Sequence, residues 1–221
     1  MKTLKMILLT AVIVVPLYIV IVNPLFETFQ PTSKTAQENN YEDNDVETIE
    51  DQEVHIDGFP VIYIEGDNEI SKEHWEGFLA NLQNECNIPW LTKNVSSIHF
   101  CSDDKFMESN QQVAGYTKYS DNSIYIRENG SAGYEYIILH EFGHAYDNAY
   151  GITTGNYDIS VLTSNQNKSC KHANKISNIS FEYCSSDIQE TFASVIQFYI
   201  TSRNAGLVPE EVFNWIDTLP R

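Results

Sequence analysis

The segment Ile137–Asp147 reads IILHEFGHAYD and places two histidines and one glutamate directly behind an apolar run. The apolar spacing predicts a helix over residues 132–151. On that helix His140 and His144 lie four residues apart and project from one face, with Cβ atoms about 6 Å apart. Two imidazoles so placed can bind one zinc ion, and Glu141 beside them can act as general base toward a zinc-bound water.

The alternative is an amphipathic helix that carries two surface histidines. The apolar run ahead of His140 buries the start of the helix, where an unpaired imidazole and the Glu141 carboxylate would be costly. Binding of a metal ion removes that cost, so the pattern favours a zinc site. The remaining histidines lie at no metal-ligand spacing and are interpreted as surface or loop residues: His55, His74, His99 and His172.

A third protein ligand is required, because catalytic zinc sites use three and keep one open position. No His-x-x-Gly-x-x-His extension follows His144, so a downstream residue must supply it. Glu190, in DIQETFASVIQFY, is the best candidate because its apolar neighbours indicate an inward-pointing side chain. The alternative role for Glu190 is an acid favoured by the helix dipole, a role that suits Asp187 better.

Two further side chains are candidates for orienting the ligands by hydrogen bonds. Asp147 follows His144 by three residues on the same helical face, and Ser194 follows Glu190 by four. Exposure of either side chain to solvent is the alternative.

HEFGHAYD, together with a tyrosine seven residues before the glutamate of ETFASVIQFY, resembles the peptidase domain of anthrax toxin lethal factor and of the secreted Pro-Pro endopeptidases. The resemblance covers residues 58–221. It implies that one Zn²⁺ is bound per chain, with the ligands His140, His144 and Glu190. It also implies that Glu141 is the catalytic base and that the Tyr183 hydroxyl stabilises the oxyanion.

The same resemblance implies an extended peptide or protein substrate that adds to a strand edge beside the zinc helix. The segment GYTKYS, residues 115–120, is the candidate edge. Tyr116, Tyr119 and Tyr125 either line substrate subsites or are ordinary strand residues, since aromatic residues favour strands. The resemblance also allows a preference for cleavage between two prolines, but none of these residues indicates it.

Strands precede helices along the chain, which predicts an α+β domain. The expected architecture is a small mixed β-sheet packed on the active-site helix with the H-E-x-x-H pattern, and a following helix with the third ligand. Expected strands cover 60–66, 96–100, 113–120 and 123–129, with Asp121-Asn122 as a hairpin turn. Expected helices cover 71–86, 132–151, 185–203 and 208–219, and a polar loop covers 152–180.

The N-terminal residues predict a membrane anchor followed by a stalk. Residues 6–22 are uncharged and apolar behind two lysines, so residues 1–26 are expected to form a signal anchor that leaves the C-terminal domain outside the cell. The tract 27–57 holds ten acids against Lys34, which predicts a flexible stalk. The formal net charge of −18 argues against nucleic acid as a partner. If the anchor is cleaved, the domain is secreted.

The four cysteines can form two disulfides in an exported chain, although buried free thiols are the alternative. Three connectivities are possible. The nearest-neighbour one pairs Cys86 with Cys101 and Cys170 with Cys184, and the second bridge would brace the loop that carries Tyr183.

The expected function is that of a membrane-anchored or exported zinc endopeptidase that hydrolyses extracellular proteins. One alternative is a zinc-containing cell-surface binding module without turnover, which would need neither Glu141 nor Tyr183 to hold its metal. Another is an exported toxin-like peptidase, which the lack of a clear cleavage site behind residues 6–22 disfavours.

Overall fold

The computed structural model describes residues 51–65, 77, 88–101, 106, 113–127, 134–177 and 179–221. The predicted anchor, residues 27–50 of the predicted stalk, Cys86 and all of the predicted helix 71–86 except Gly77 lie outside these residues. Within the described ranges, none of the helices is both long enough and apolar enough to cross a membrane.

The chain has a mixed α+β fold with a five-stranded mixed sheet. The strands are β1 (Gln52–Val54), β2 (Val61–Ile64), β3 (Ser97–Cys101), β4 (Gly115–Lys118) and β5 (Ser123–Arg127). Their order is β1-β2-β3-β5-β4, with β2, β3 and β5 parallel to one another. β1 and β4 run antiparallel to their neighbours and form the two edges of this sheet.

The four predicted strands are confirmed close to their expected positions. The predicted hairpin is confirmed as well, because β4 pairs antiparallel with β5. Asn122 has a φ of 56°, a left-handed conformation that asparagine tolerates in turns. Asp121 Oδ1 accepts a hydrogen bond from the Ser123 N–H at 3.1 Å, which fixes the turn.

β1 is a correction to the predicted boundary between stalk and domain. It lies within residues 27–57, yet it pairs with β2 and buries Val54 to 1% exposure. The acidic composition of this tract predicted a flexible coil, but one buried apolar side chain and the backbone hydrogen bonds of an edge strand are sufficient to order its end. The folded domain therefore begins before residue 58.

Among the described residues, the α-helices in chain order are α1 (Pro89–Thr92), α2 (Tyr134–Tyr150), α3 (Ser160–Cys170), α4 (Ala173–Ser177), α5 (Phe181–Cys184), α6 (Ile188–Ser202) and α7 (Glu210–Ile216). The helices predicted over 132–151, 185–203 and 208–219 correspond to α2, α6 and α7. Gly151 ends α2 in the left-handed region with a φ of 64°, as expected of a C-terminal glycine.

The polar loop predicted over residues 152–180 is wrong. That segment contains a helical turn at Ile152–Asn156 and the helices α3 and α4. Leu162 is 0% exposed and Ile176 is 8% exposed, so a few apolar residues anchor these helices to the core. They are too sparse among Asn, Ser, Thr and Lys to show a helical period in the sequence.

The two faces of the sheet differ in character. Alternate side chains on one face are 0–2% exposed and belong to the core: Ile62, Ile64, Ile98, Phe100, Ile124 and Ile126. On the other face, four rings stack across neighbouring strands with centroids 4.6–4.9 Å apart: Tyr63, His99, Tyr125 and Tyr116. Each pair of this kind contributes about 0.5–1.5 kcal/mol beyond its buried area. His99 is thus a half-buried strand residue, which corrects its interpretation as a surface or loop histidine.

One of the two predicted disulfides is present. Cys170 at the end of α3 is bonded to Cys184 at the end of α5, and both residues are fully buried. Cys101 is buried in β3, but Cys86 lies outside the described residues, so their pairing stays a prediction. The observed bridge ties the segment before α6 to α3.

Candidate metal site

Helix α2 holds the H-E-x-x-H residues in the interior, where it packs against β4, β5 and α6. His140 and Glu141 are each 4% exposed, and His144 is 6% exposed. Ile138 and Phe142 on the same helix are fully buried, which fixes α2 against the core. Three ionisable side chains are therefore held out of bulk water and need partners.

Helix α6 brings Glu190 to the two histidines. Asp187 caps the helix, with its Oδ1 accepting the Glu190 N–H at 2.8 Å, so Glu190 lies in the first turn. The Oε2 atom of Glu190 lies 3.0 Å from His140 Nε2 and 3.5 Å from His144 Nε2. The three residues predicted as ligands thus lie together, although fifty positions of sequence separate His140 from Glu190.

The donor set suits a divalent metal ion. His140 Nε2 and His144 Nε2 are 3.1 Å apart, and the candidate ligand atoms of the two histidines and Glu190 all lie within 4.8 Å of one another. Two imidazole nitrogens and one carboxylate oxygen are a combination that binds transition metals such as zinc. His140, His144 and Glu190 could therefore hold a metal ion.

The surroundings of Glu190 and of His144 shift the pKa of each. Burial favours the neutral acid of Glu190, but hydrogen bonds from His140 and His144 outweigh it and hold the pKa of that carboxyl well below its usual range. Burial likewise disfavours a charged His144, but the carboxylates of Glu190 and Glu141 outweigh it and raise the pKa of His144 above 6.5. The cluster therefore stabilises a carboxylate anion facing cationic or metal-bound partners.

Glu141 points to the side of β4 and is held there by one hydroxyl. Thr117 Oγ1 lies 2.8 Å from Glu141 Oε2 and 3.1 Å from the Glu141 carbonyl oxygen. Glu141 also lines a pocket together with the candidate ligand His140.

The side chains that contact the histidines differ from those predicted. Both Asp147 oxygens accept hydrogen bonds from Thr153, from its N–H at 2.7 Å and its hydroxyl at 2.5 Å. Ser194 is fully buried, and its hydroxyl has no hydrogen-bond partner among the described residues. The Nδ1 atom of His144 instead lies 3.4 Å from the Tyr119 hydroxyl.

Tyr183 stands beside the cluster on the short helix α5. Ser180 caps this helix by accepting the Tyr183 N–H at 3.1 Å, and the rings of Tyr183 and His140 have centroids 5.9 Å apart. Tyr183 is 42% exposed, but partial burial, followed by the charges of Glu190 and Glu141, raises its pKa above 10. The phenol is therefore a neutral hydrogen-bond donor at any physiological pH.

A pocket of about 260 Å³ opens beside the cluster. Its walls come from the start of β4, from α2 and from the segment between α4 and α5. The lining is mostly apolar and consists of Val113, Ala114, Gly115, Tyr136, Ile137, His140, Glu141, Ser177, Ile179, Ser180 and Tyr183. Glu141, His140 and Tyr183 thus line one cavity.

The three tyrosines suggested as substrate subsites do not all lie on the same face of the sheet. Tyr116 and Tyr125 stack on each other on the face opposite the core, away from α2. Tyr119 faces His144, and Thr117, which no sequence pattern singled out, faces Glu141. The available signal was the two-residue alternation of β4, which places positions 117 and 119 on the side of α2 once the strand is paired.

The described residues thus contain a cluster of two buried imidazoles and one partly exposed carboxylate. A second carboxylate and a phenol border it at the rim of a pocket. Compared with protein-family models, with curated proteins and with solved structures, the chain matches none of them.

Proposed function

We propose that this protein is a zinc metalloendopeptidase related to the lethal factor-like peptidases, exported or membrane-anchored, that cleaves extracellular proteins. The observation that carries the proposal is that the candidate metal ligands, a buried carboxylate and a phenol lie together. Convergent donor atoms of His140, His144 and Glu190 lie beside the buried Glu141 carboxylate and the Tyr183 phenol, at one pocket. Holding a metal would need only the candidate ligands.

Glu141 acts as the general base in this proposal. Zinc held by the three ligands supplies a Lewis acid that activates water and polarises a carbonyl. Glu141 lines the pocket together with His140, and its carboxylate would take a proton from the attacking water and deliver it to the leaving amine. A buried carboxylate is suited to this exchange because few competing waters solvate it.

Tyr183 stabilises the negative charge that develops on the carbonyl oxygen. Its hydroxyl stays protonated because its pKa is raised, so it can donate a hydrogen bond throughout the physiological range. A preorganised donor of this kind lowers the barrier by about 2.7–4 kcal/mol. The position of Tyr183 at the pocket rim, next to His140, supports this role.

The substrate in this proposal is an extended peptide that pairs with β4. An edge strand offers unpaired backbone groups to an added strand, and β4 is the edge next to α2. The pocket beside Glu141 has apolar walls and a volume of about 260 Å³, which suits one apolar side chain of the substrate.

An oxidising compartment is consistent with the disulfide between Cys170 and Cys184. The expected signal anchor over residues 1–26 would deliver the domain outside the cell, and cleavage of the anchor would release it. Whether the anchor is kept or cleaved, the catalytic domain would lie on the outer side of the membrane.

The second candidate function is a zinc-containing surface module without turnover. The His-His-Glu cluster alone would serve such a module. Glu141 and Tyr183 favour the peptidase, because a structural metal requires neither a pocket-facing base nor a phenol at the rim. A toxin-like exported peptidase would use the same site and differ only in delivery.

The deciding experiment measures zinc content and cleavage of a peptide library by the purified full-length chain. Glu141→Gln is the test variant and Glu211→Gln, at an exposed position of α7, is the matched control. We expect about one zinc per chain in all three and cleavage by the parent and the control only. Zinc without cleavage by the parent would favour the binding module, and absence of zinc would overturn both candidate functions.

A further inference from the structure

Two hydroxyl groups from β4 and the turn that follows it contact two residues of the H-E-x-x-H pattern. The Thr117 hydroxyl lies 2.8 Å from Glu141 Oε2. The Tyr119 hydroxyl lies 3.4 Å from His144 Nδ1. Strand residues two apart share a side, and helix residues three apart share a face, so the two pairs match across the contact between strand and helix.

The residues that alternate with Thr117 and Tyr119 along the chain make their contacts elsewhere. Tyr116 stacks on Tyr125, and the Lys118 ammonium pairs with Asp121 at 3.0 Å. Neither has a contact with α2 residues in the described hydrogen bonds and ion pairs. One side of β4 thus contributes to sheet and turn, while the other contributes hydroxyls to the metal-site helix.

The Thr117 hydroxyl fixes one oxygen of a buried carboxylate. It can donate to Glu141 Oε2 and to the Glu141 carbonyl oxygen, at 2.8 and 3.1 Å, so it holds the side chain against its own helix. Among the described residues it is the one side chain that donates to this carboxylate. Glu141 is also one of the residues that line the pocket.

The Tyr119 hydroxyl can select a tautomer of His144, because it lies beside one of the two ring nitrogens. The Tyr119 phenol oxygen is a hydrogen-bond acceptor, and it lies 3.4 Å from His144 Nδ1. When Nδ1–H of His144 donates to the phenol oxygen, the lone pair of Nε2 is directed at the cluster with His140 and Glu190. The corresponding Nδ1 of His140 is buried and has no partner among the described residues, so the two imidazoles are not held alike.

We propose that β4 and the turn that follows it form a positioning element for the site, in which Thr117 orients the base Glu141 and Tyr119 orients the metal ligand His144. The Thr117 half rests on the proposed peptidase function, whereas the Tyr119 half requires only that the cluster binds zinc. The same strand would then bind substrate and align the base that acts on it.

The experiment uses the full-length chain with Thr117→Val, Thr117→Ser, Tyr119→Phe and Tyr116→Phe. Thr117→Val keeps the shape and removes the hydroxyl, and Thr117→Ser restores the hydroxyl. Tyr116→Phe removes a tyrosine hydroxyl from the opposite face of the sheet and is the control for Tyr119→Phe. The readouts are zinc affinity by chelator competition, kcat and KM separately, and crystal structures of the two Thr117 variants.

We expect Thr117→Val to lower kcat about tenfold with KM and zinc affinity unchanged, and Thr117→Ser to recover parental kcat. Tyr119→Phe should weaken zinc binding about tenfold, while Tyr116→Phe leaves it unchanged. Parental kcat in Thr117→Val, or an equal loss of kcat in Thr117→Ser, would overturn the role of Thr117. Parental zinc affinity in Tyr119→Phe would overturn the role of Tyr119.

Failure of the peptidase proposal gives a different pattern of results. If the parent binds zinc and cleaves nothing, the zinc affinity of Tyr119→Phe still decides the second half. The crystal structures then decide the first half. Movement of the Glu141 carboxylate in Thr117→Val, but not in Thr117→Ser, supports it, and an unmoved carboxylate in both overturns it.

Discussion

A Cβ atom added to Gly143 would lie 2.6 Å from the Cα atom of Ala193. Helices α2 and α6 therefore approach each other backbone to backbone at this point. Gly143 precedes the candidate ligand His144, and Ala193 follows the candidate ligand Glu190 by three residues. The separation of the two helices thus sets the distance between the histidines and the glutamate.

Gly143→Ala is expected to destabilise the fold and weaken zinc binding together. The new methyl group meets backbone that cannot rotate away, so we expect a loss of about 1–3 kcal/mol in the free energy of unfolding. Displacement of α6 would carry Glu190 away from the histidines. Urea denaturation and chelator competition measure the two effects. Gly77→Ala is the control, since a Cβ there has nothing within 4 Å.

Tyr183→Phe is expected to lower kcat about 10²–10³-fold with little change in KM, because the hydroxyl interacts with charge that develops only in the transition state. Zinc content should stay at the parental level, since the phenol is not one of the three ligands. Steady-state kinetics on a peptide substrate measures both constants. Tyr157→Phe, at a tyrosine outside the pocket lining, should behave as the parent. Equal kcat in Tyr183→Phe and the parent would remove the assigned role.

Removal of the disulfide by combining Cys170→Ala with Cys184→Ala is expected to cost about 3 kcal/mol of stability, since the bridge closes a loop of fourteen residues. Tyr183 directly precedes Cys184, so a looser α5 should also reduce kcat at temperatures where the variant is fully folded. Denaturant titration and kinetics on the same preparation separate these effects. An unchanged denaturation midpoint would show that packing alone holds this segment.

Zinc affinity is expected to fall as the pH falls. Zinc needs neutral imidazole, and the pKa of His144 is raised above 6.5, where a proton competes with the metal. The loss should therefore begin above pH 6.5 and approach about tenfold per pH unit below the raised pKa. Glu190 stays ionised because its pKa is lowered.

Chelator competition over a pH series tests this expectation. Glu190→Gln removes the carboxylate that raises the pKa of His144, so the decline should begin at lower pH in that variant, at weaker affinity throughout. Affinity independent of pH would contradict the expectation.

His99 is expected to make the fold less stable in acid. Burial between two tyrosine rings lowers the pKa of His99 from 6.5. The unfolded chain therefore binds a proton more readily than the folded protein, so stability is full above pH 6.5 and falls as the pH drops toward the lowered pKa. His99→Phe keeps an aromatic ring but cannot titrate. Its free energy of unfolding should vary less between pH 7 and pH 5 than that of the parent, and an equal slope would contradict this assignment.

The parts of the site that follow a short sequence period could be predicted. The spacing of His140 and His144 is one helical turn, and Glu190 lies within a strongly apolar helix. Their convergence depends only on two adjacent helices packing face to face. Helix α2 likewise ended where Gly151 predicted.

Contacts that depend on tertiary pairing could not be predicted. The match of Thr117 with Glu141 is set by how β4 lies against α2, and no local pattern records that register. Asp147 shares a helical face with the histidines, yet the left-handed Gly151 turns the chain back so that Thr153 takes both carboxylate oxygens. The helices α3 and α4 were missed because their few buried residues are scattered among polar ones.

The position of β4 at the sheet edge has a consequence for the sequences that the proposed enzyme would accept. A peptide added to that edge would be extended, with successive side chains alternating between the α2 side and the opposite side. Only every second residue could then reach the apolar pocket and its neighbours. A sequence logo compiled from cleaved library peptides should accordingly show strongly and weakly selective positions in alternation on each side of the cleaved bond.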